Sequence, residues 1–302
     1  MSFMANVTAG KLETLSRNIV FGLSGVGKST LFENEEGAIF IDPSGGSDRL
    51  DVARYQPEDG WSWAALMRAL DELTVEEHPY TLLVIDELGV FESLLWEKQC
   101  ADHGKNSIED WNYYKGYTIA LRSWQALLDK LDLLREKMGV TLLCHATQKV
   151  FKNPMGEDYD RYTLALEQKA ANKLKGWADN VLFARFDDTI VQKNGGRSIG
   201  MTGARVLETT YDAAWDAKSR DRLPPQLPLD WAAFKEAVER GEHDDPKEIV
   251  GQVEELFSRM SKDDVSTAKK LLKKYAGKPD KLYQTLNWAS KQATPGQEQE
   301  TE

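Results

Sequence analysis

Short apolar runs bounded by turn residues recur along the chain: NIVFGL (18–23), AIFID (38–42), YTLLVIDEL (80–88), VTLLCHA (140–146) and NVLFARF (180–186). Each is rich in β-formers and nearly continuous, as strands buried on both faces of a parallel sheet are. Between them, WSWAALMRALDEL (61–73) and TIALRSWQALLDKLDLLREKMG (118–139) repeat apolar residues at three and four, and the second runs into Gly139 as its stop signal. Strand and helix in alternation predict an α/β domain with a mainly parallel sheet flanked by helices.

From about residue 187 the pattern changes. Two β-like runs surround Asn194, Gly195 and Gly196, which predicts an antiparallel hairpin at the sheet's edge. PLDWAAFKEAVERG then reads as one more short helix. The polar, acidic stretch 241–248 is the expected linker, 249–292 reads as a small appendage of three short helices, and 293–302 as a disordered acidic tail. The expected organisation is therefore a core over 1–240 and a separate helical region.

A chain of 302 residues can bury a core of ordinary size. No apolar run approaches the roughly 20 residues of a membrane helix, and the first residues show no secretory pattern, so a cytoplasmic protein without membrane contact is expected. Cys100 and Cys144 are too few for a disulfide framework or a zinc cluster and read as free thiols. A formal net charge of −11 argues against a protein that coats nucleic acid over its whole surface, although it permits a local basic groove.

The sharpest chemistry lies in GLSGVGKST. Gly22, four residues, then Gly27, Lys28 and Ser29 give the full phosphate-loop spacing, entered by an apolar strand and followed by STLFENEE, expected to continue as a helix. Glycines let backbone N–H groups turn onto phosphate oxygens, and a helix N-terminus adds partial positive charge. The nucleotide-binding set is Gly22, Ser24, Gly25, Val26, Gly27, Lys28, Ser29 and Thr30, with Lys28 reaching the β- and γ-phosphates of ATP and Ser29 on Mg²⁺. LLVIDEL ends a strand in Asp86, an expected Mg²⁺ carboxylate, and Glu87, the expected base for the attacking water. His145 closes the next apolar strand, where it reads either as a sensor of the γ-phosphate or as a satisfied core histidine; Gln148 is a looser second sensor.

In order, GLSGVGKST, AIFIDPSGG, LLVIDEL, GYTIALRSWQALLDKL, VTLLCHATQ, KAANKLKGWADNVLFARF and AKSRDRLPPQLPLDW resemble the phage family of RecA-like nucleotide-binding ATPases, over roughly residues 18 to 235. Studied members of that family include single-strand annealing proteins. The resemblance implies a RecA-like P-loop core, ATP and Mg²⁺ as cofactors, and a homo-oligomer, ring or filament, with its sites at subunit interfaces. It also implies action on single-stranded DNA in recombination, annealing or replication in a bacterial host's cytoplasm. A single-strand-binding protein would be a further partner. The family's Lys-x-Arg motif falls on Lys218 and Arg220, cations delivered to a neighbour's γ-phosphate. In RecA itself a glutamate lies two residues after the aspartate that ends the second strand; here Asp42 is followed by Ser44, which moves the base to Glu87 with Asp42 in reserve.

In WDAKSRDRLPP, Lys218, Arg220 and Arg222 alternate, so an extended segment would turn all three to one side. The alternative is a basic turn paired with Asp216 and Asp221. Two expected DNA-facing segments, 96–117 and 149–163, mix aromatics with lysines: Trp96, Trp111, Tyr113, Tyr114 and Tyr117 beside Lys98, Lys105 and Lys115, then Phe151, Tyr159 and Tyr162 beside Lys149, Lys152 and Arg161. Such residues stack unpaired bases, or pack against each other. The basic run 268–281 suits phosphate contact or a solvated helix face. Other function classes are a small-molecule kinase, for which no arginine-rich lid is visible, and a nucleotide-dependent module that contacts other phage proteins without binding DNA.

Overall fold

Each apolar run is a strand, because burial on both sides leaves no polar face to alternate with. The computed structural model describes residue 7 and residues 14–193, 197–201, 203–240, 246–276 and 279–293. The chain divides into two compact units that do not follow each other in sequence. The first comprises residues up to 20, 28–146 and 164–178; the second comprises 21–27, 147–163 and 179 onward.

The first unit holds most of β1 (Arg17–Gly22), then β2 (Ala38–Ile41), β3 (Ala53–Tyr55), α1 (Trp63–Val75), β4 (Leu82–Ile85), α2 (Leu88–Asp102), α3 (Lys115–Leu134) and the beginning of β5 (Gly139–Phe151). Its strands run in the order β1-β5-β4-β2-β3, and β3, β2, β4 and β5 are parallel. Register decides what comes next. Ile41 lies opposite Ile85, and Ile85 opposite Leu142, so the following residues, Asp42 and Asp86, leave neighbouring strand ends together.

Helices α1 and α3 cover this sheet with their apolar stripes. Ser62 caps α1 by accepting from the Ala65 amide at 3.0 Å, and Leu66, Ala69 and Leu70 are fully buried. On α3, Trp124, Leu127, Leu131 and Leu134 are buried, and Trp124 meets Trp63 edge-on at 5.5 Å. Each such side chain removed from water stabilises the unit by about 1.5–3 kcal/mol.

The second unit contains the end of β5, most of β6 (Tyr159–Leu164) and, beyond the first unit's α4 (Gln168–Trp177), β7 (Asn180–Phe186), β8 (Thr189–Lys193), β9 (Arg197–Met201), β10 (Arg205–Glu208) and β11 (Gln226–Pro228). Strand β10 is antiparallel to both β7 and β11; β8 pairs with β9 as the expected hairpin, but the two form a sheet of their own and do not extend the edge of the large one, an edge that β10 and β11 supply instead. Its turn residues 194–196 lie outside the described residues. After α5 (Trp231–Arg240) come α6 (Pro246–Glu255), α7 (Lys262–Lys274) and α8 (Pro279–Ala293), which share a core of Ile249, Val253, Ala268, Leu272, Leu282 and Ala289. Lys269 and Lys274 cover Phe257 and Tyr275, so part of this basic run packs on aromatic rings. Most of the expected linker, 241–245, and the tail from 294 lie outside the described residues.

Three local expectations need correction. The phosphate loop is followed by a single 3₁₀ turn, Thr30–Phe32, and the acidic run Glu33–Glu36 with Gly37 forms turns that lead into β2. Gly139 opens β5 instead of ending α3. The segment from Trp96 to Asp102, expected as a loop, is the second half of α2; that helix buries Leu88, Phe91, Glu92, Leu95 and Gln99, too mixed a set to give a clean apolar stripe.

Candidate nucleotide site

At the carboxyl ends of the first unit's parallel strands, Lys28, Ser29, Asp86, Glu87 and His145 come together. The Ser29 hydroxyl donates to Asp86 Oδ2 at 2.5 Å. Burial pushes the Asp86 carboxyl up to about 6; the Ser29 hydrogen bond opposes that shift, and the nearby Asp42 charge adds to it. Lys28 is buried at 7% exposure, and burial lowers the pKa of its ammonium against the attraction of Asp86 and Glu87. Lys28 Nζ lies 3.2 Å from His145 Nδ1. Since an ammonium only donates, Nδ1 is the acceptor in this contact, which leaves Nε2 on the other side of the ring. That Nε2 lies 2.7 Å from Glu87 Oε2, without the alignment of a hydrogen bond.

Glu87 is held by its other oxygen. Oε1 accepts from the Gly89 amide at 2.9 Å as the cap of α2, which leaves the buried Oε2 turned toward His145. Asp42 is bound differently. Its Oδ1 accepts from the Ser44 amide, the Ser44 hydroxyl and the Gly45 amide, and its Oδ2 accepts from the Ser47 amide and hydroxyl, all at 2.6–3.0 Å. Burial alone would raise its pKa, but these bonds outweigh burial and hold it below the ordinary carboxylate value. A carboxylate with both oxygens so occupied is a poor proton acceptor, so the geometry favours Glu87 over Asp42 as a base. The serines that bind Asp42 escaped sequence reading because SGGS looks like any turn.

Hard oxygen donors suit Mg²⁺, which takes one or two protein ligands and completes its shell with water and phosphate. Ser29 and Asp86 fit that role, and a divalent cation there would supply the charge that buried Asp86 lacks. Among the described residues no group of three or more His, Cys, Asp or Glu side chains is set to hold a metal, and Mg²⁺ beside a nucleotide needs none.

The loop that precedes Lys28 belongs to the second unit. Gly22 passes so close to β7 that a methyl group on it would lie 2.3 Å from the Ala184 carbonyl oxygen. Gly27 has φ +102°, closed to other residues without strain, and a methyl group there would meet Arg205 Nη1 at 2.6 Å. Val26 is buried and anchors the loop, whereas Ser24 and Gly25 are exposed. Thr30 is also exposed, at the start of the 3₁₀ turn in the first unit.

The segment 217–220 is extended. Lys218 exchanges backbone hydrogen bonds with Val181 at 2.8 and 2.9 Å, and the Arg220 amide bonds to the Asp179 carbonyl. Arg220 Nη1 also pairs with Asp179 Oδ1 at 2.9 Å while the side chain stays half exposed. Asp179 is thus a partner for Arg220 that the two neighbouring aspartates in the sequence do not indicate. Arg222 departs from the expected common direction, because its φ of +52° breaks the extended run.

Much of the expected DNA-facing chemistry is engaged internally. Trp96 and Tyr117 meet edge-on at 5.6 Å, Trp111 packs on His103, and Lys98 pairs with Asp102; Tyr113 alone among these described aromatics is strongly exposed, at 91%. In the second segment the Arg161 guanidinium is enclosed by Phe151, Tyr159 and Tyr211 and bonds to both phenol oxygens and to the Ala213 carbonyl. Tyr162 stacks on Phe183, which stacks on Trp215. Gln148 lies exposed on the part of β5 that belongs to the second unit. Both cysteines are free, and burial pushes the Cys144 thiol well up, which leaves it inert.

A parallel sheet that gathers a loop lysine, a serine bonded to a strand-end aspartate and a neighbouring glutamate defines an α/β P-loop nucleoside triphosphatase core. The family described as AAA domain matches residues 16–221, and the chain belongs to that family of nucleotide-binding ATPases. No curated protein matches the chain. Among the described residues no helix is long and apolar enough to cross a membrane.

Proposed function

We propose that this chain binds ATP with Mg²⁺ and hydrolyses it as a RecA-like homo-oligomer acting on single-stranded DNA in phage recombination, annealing or replication. The observation that carries the catalytic part is the chain of contacts Lys28–His145–Glu87 beside Ser29 and Asp86. Lys28 neutralises the terminal phosphates, and Ser29 with Asp86 holds the cation. When bound there, Mg²⁺ would supply positive charge to the terminal phosphates. Glu87 Oε2 accepts a proton from the attacking water. His145, which touches both the lysine and the base, registers the presence of the γ-phosphate by its position between them.

Lys218 and Arg220 act in this reading on the next subunit's γ-phosphate. Extended backbone turns both to one side, and the half-exposed Arg220 can exchange Asp179 for phosphate. Replacing either by alanine lowers turnover at least a hundredfold with nucleotide affinity nearly intact, as expected for a cation that acts in the transition state. Each variant mixed with a Lys28→Ala chain regains activity, because one protomer supplies the finger and the other the site. Full single-variant rates, or no regain at any ratio, would return the segment to a surface role.

The DNA part rests on the family resemblance and on exposed Tyr113 near Lys115. Its test is ATP turnover with and without single-stranded DNA at low salt, alongside retention of the DNA on a filter. Neither stimulation nor retention favours the second reading, a nucleotide-driven module that contacts other phage proteins. The internal packing of Trp96, Arg161 and Tyr162 supports that alternative.

A further inference from the structure

We infer that Arg205 is a phosphate-binding residue beside the glycines of the phosphate loop, within the second unit and outside the loop's own motif. This inference rests on the nucleotide reading above. Within the second unit, the Arg205 guanidinium lies against the last loop glycine: Nη1 is 2.6 Å from where a Gly27 side chain would begin, hence on the order of 4 Å from its Cα. The Leu229 side chain touches the same point at 3.4 Å, and its amide bonds to the Arg205 carbonyl at 3.0 Å, which fixes that backbone.

Topology explains how the arginine reaches this place. Strand β10 is antiparallel to β7, with Arg205 opposite Phe186, so the first residue of β10 arrives at the carboxyl end of β7. In open α/β sheets ligands bind outside the carboxyl ends of the parallel strands. A search for chemistry after each apolar run passes over Arg205, since it stands before one. Gly27 has no side chain to separate the guanidinium from the loop amides, and Arg205 itself is exposed, so a bound anion can reach both.

Charge gives the arginine a task. A phosphate loop usually gains positive potential from the helix that follows it. Here a single 3₁₀ turn follows, which aligns too few peptide dipoles to supply that potential. A guanidinium is permanently charged and offers a planar fork to phosphate oxygens. Arg205 therefore stands in for the helix end, acting on ground-state binding of the di- or triphosphate, not on the bond that breaks.

The test is equilibrium binding of ADP, ATP and adenosine to the full chain in Mg²⁺, for wild type, Arg205→Ala, Arg205→Gln and Arg205→Lys, with ATPase kinetics alongside. Arg205→Ala and Arg205→Gln should weaken ADP and ATP about ten- to thirtyfold, leave adenosine unchanged, and raise KM more than they lower kcat. Arg205→Lys should recover most of the loss and show a steeper salt dependence. ADP affinity within twofold of wild type for Arg205→Gln overturns the inference, as does an equal loss for adenosine, which would mark a packing role. If Arg205→Ala does not fold, the glutamine and lysine variants decide by the same readings. A wild-type chain that binds neither ADP nor ATP overturns the nucleotide reading itself, whereas wild-type binding that the variants leave intact overturns only the role of Arg205.

Discussion

Glu87→Gln should abolish most ATP turnover, by about a hundred- to ten-thousandfold, while ATP and ADP still bind. The substitution is conservative where structure needs it, because an amide oxygen can replace Oε1 as acceptor of the Gly89 amide that caps α2. It removes the one property a base requires, a carboxylate oxygen able to take a proton, and Oε2 is the oxygen left turned toward His145. Single-turnover hydrolysis, nucleotide affinity and melting temperature measured together separate the roles. Lost turnover with retained affinity and melting temperature identifies a base. Turnover within threefold of wild type would refute the assignment and move attention to Asp42. That residue makes a different prediction: Asp42→Asn keeps one acceptor oxygen and turns the other into a donor, which breaks two or three of the five donated hydrogen bonds, so its first effect should be on the stability of the 43–47 loop.

Asp86→Asn should stabilise the nucleotide-free protein in EDTA at pH 8 and, in the same stroke, remove Mg²⁺-dependent turnover. The folded Asp86 carboxyl titrates at about 6 against an ordinary 3.8, chiefly because it is buried. The folded state thus holds this proton more tightly than the unfolded chain. Stability falls as pH rises through the window from about 4 to about 6, and the penalty is complete above it. About two pKa units correspond to at most about 3 kcal/mol. The asparagine removes that penalty and keeps an oxygen for the Ser29 hydroxyl, so its melting temperature should exceed wild type by several degrees at pH 8 and match it near pH 4. Adding Mg²⁺ and ATP should stabilise wild type and leave the variant nearly unmoved. A variant less stable than wild type at pH 8 would show that the Asp86 charge is already compensated in the folded protein. Asp42 carries the opposite sign: its lowered pKa contributes stability at neutral pH that is lost as the pH falls below its ordinary value.

What was legible in the chain and what was not divides along one physical line. Strands β1, β2, β4, β5 and β7 announce themselves because each carries a run of four or more mostly apolar residues buried on both faces. Short strands such as β3, β10 and β11 have too few residues for a pattern, and they exist through pairing with neighbouring strands. Lys28, Ser29, Asp86 and Glu87 were readable because phosphate and metal chemistry demands those residue types at fixed distances from a strand. Helix α2 was misread because the face it buries, Leu88, Phe91, Glu92, Leu95 and Gln99, mixes two polar residues with apolar ones and so leaves only a weak apolar stripe in the sequence.

The amino-acid sequence alone determined the class of chemistry: local spacing and the ends of apolar runs carry the phosphate loop and its carboxylates, and those relations do not depend on how distant elements meet. Only the tertiary structure decided which groups remain available to act. It spent Arg161, Trp96 and Tyr162 on internal packing, saturated Asp42 with donors, left one oxygen of Glu87 beside His145, and brought Arg205 to Gly27 by running β10 against its neighbours. These are contacts between residues far apart in the chain, set by strand order and direction, and no local pattern of side chains encodes them.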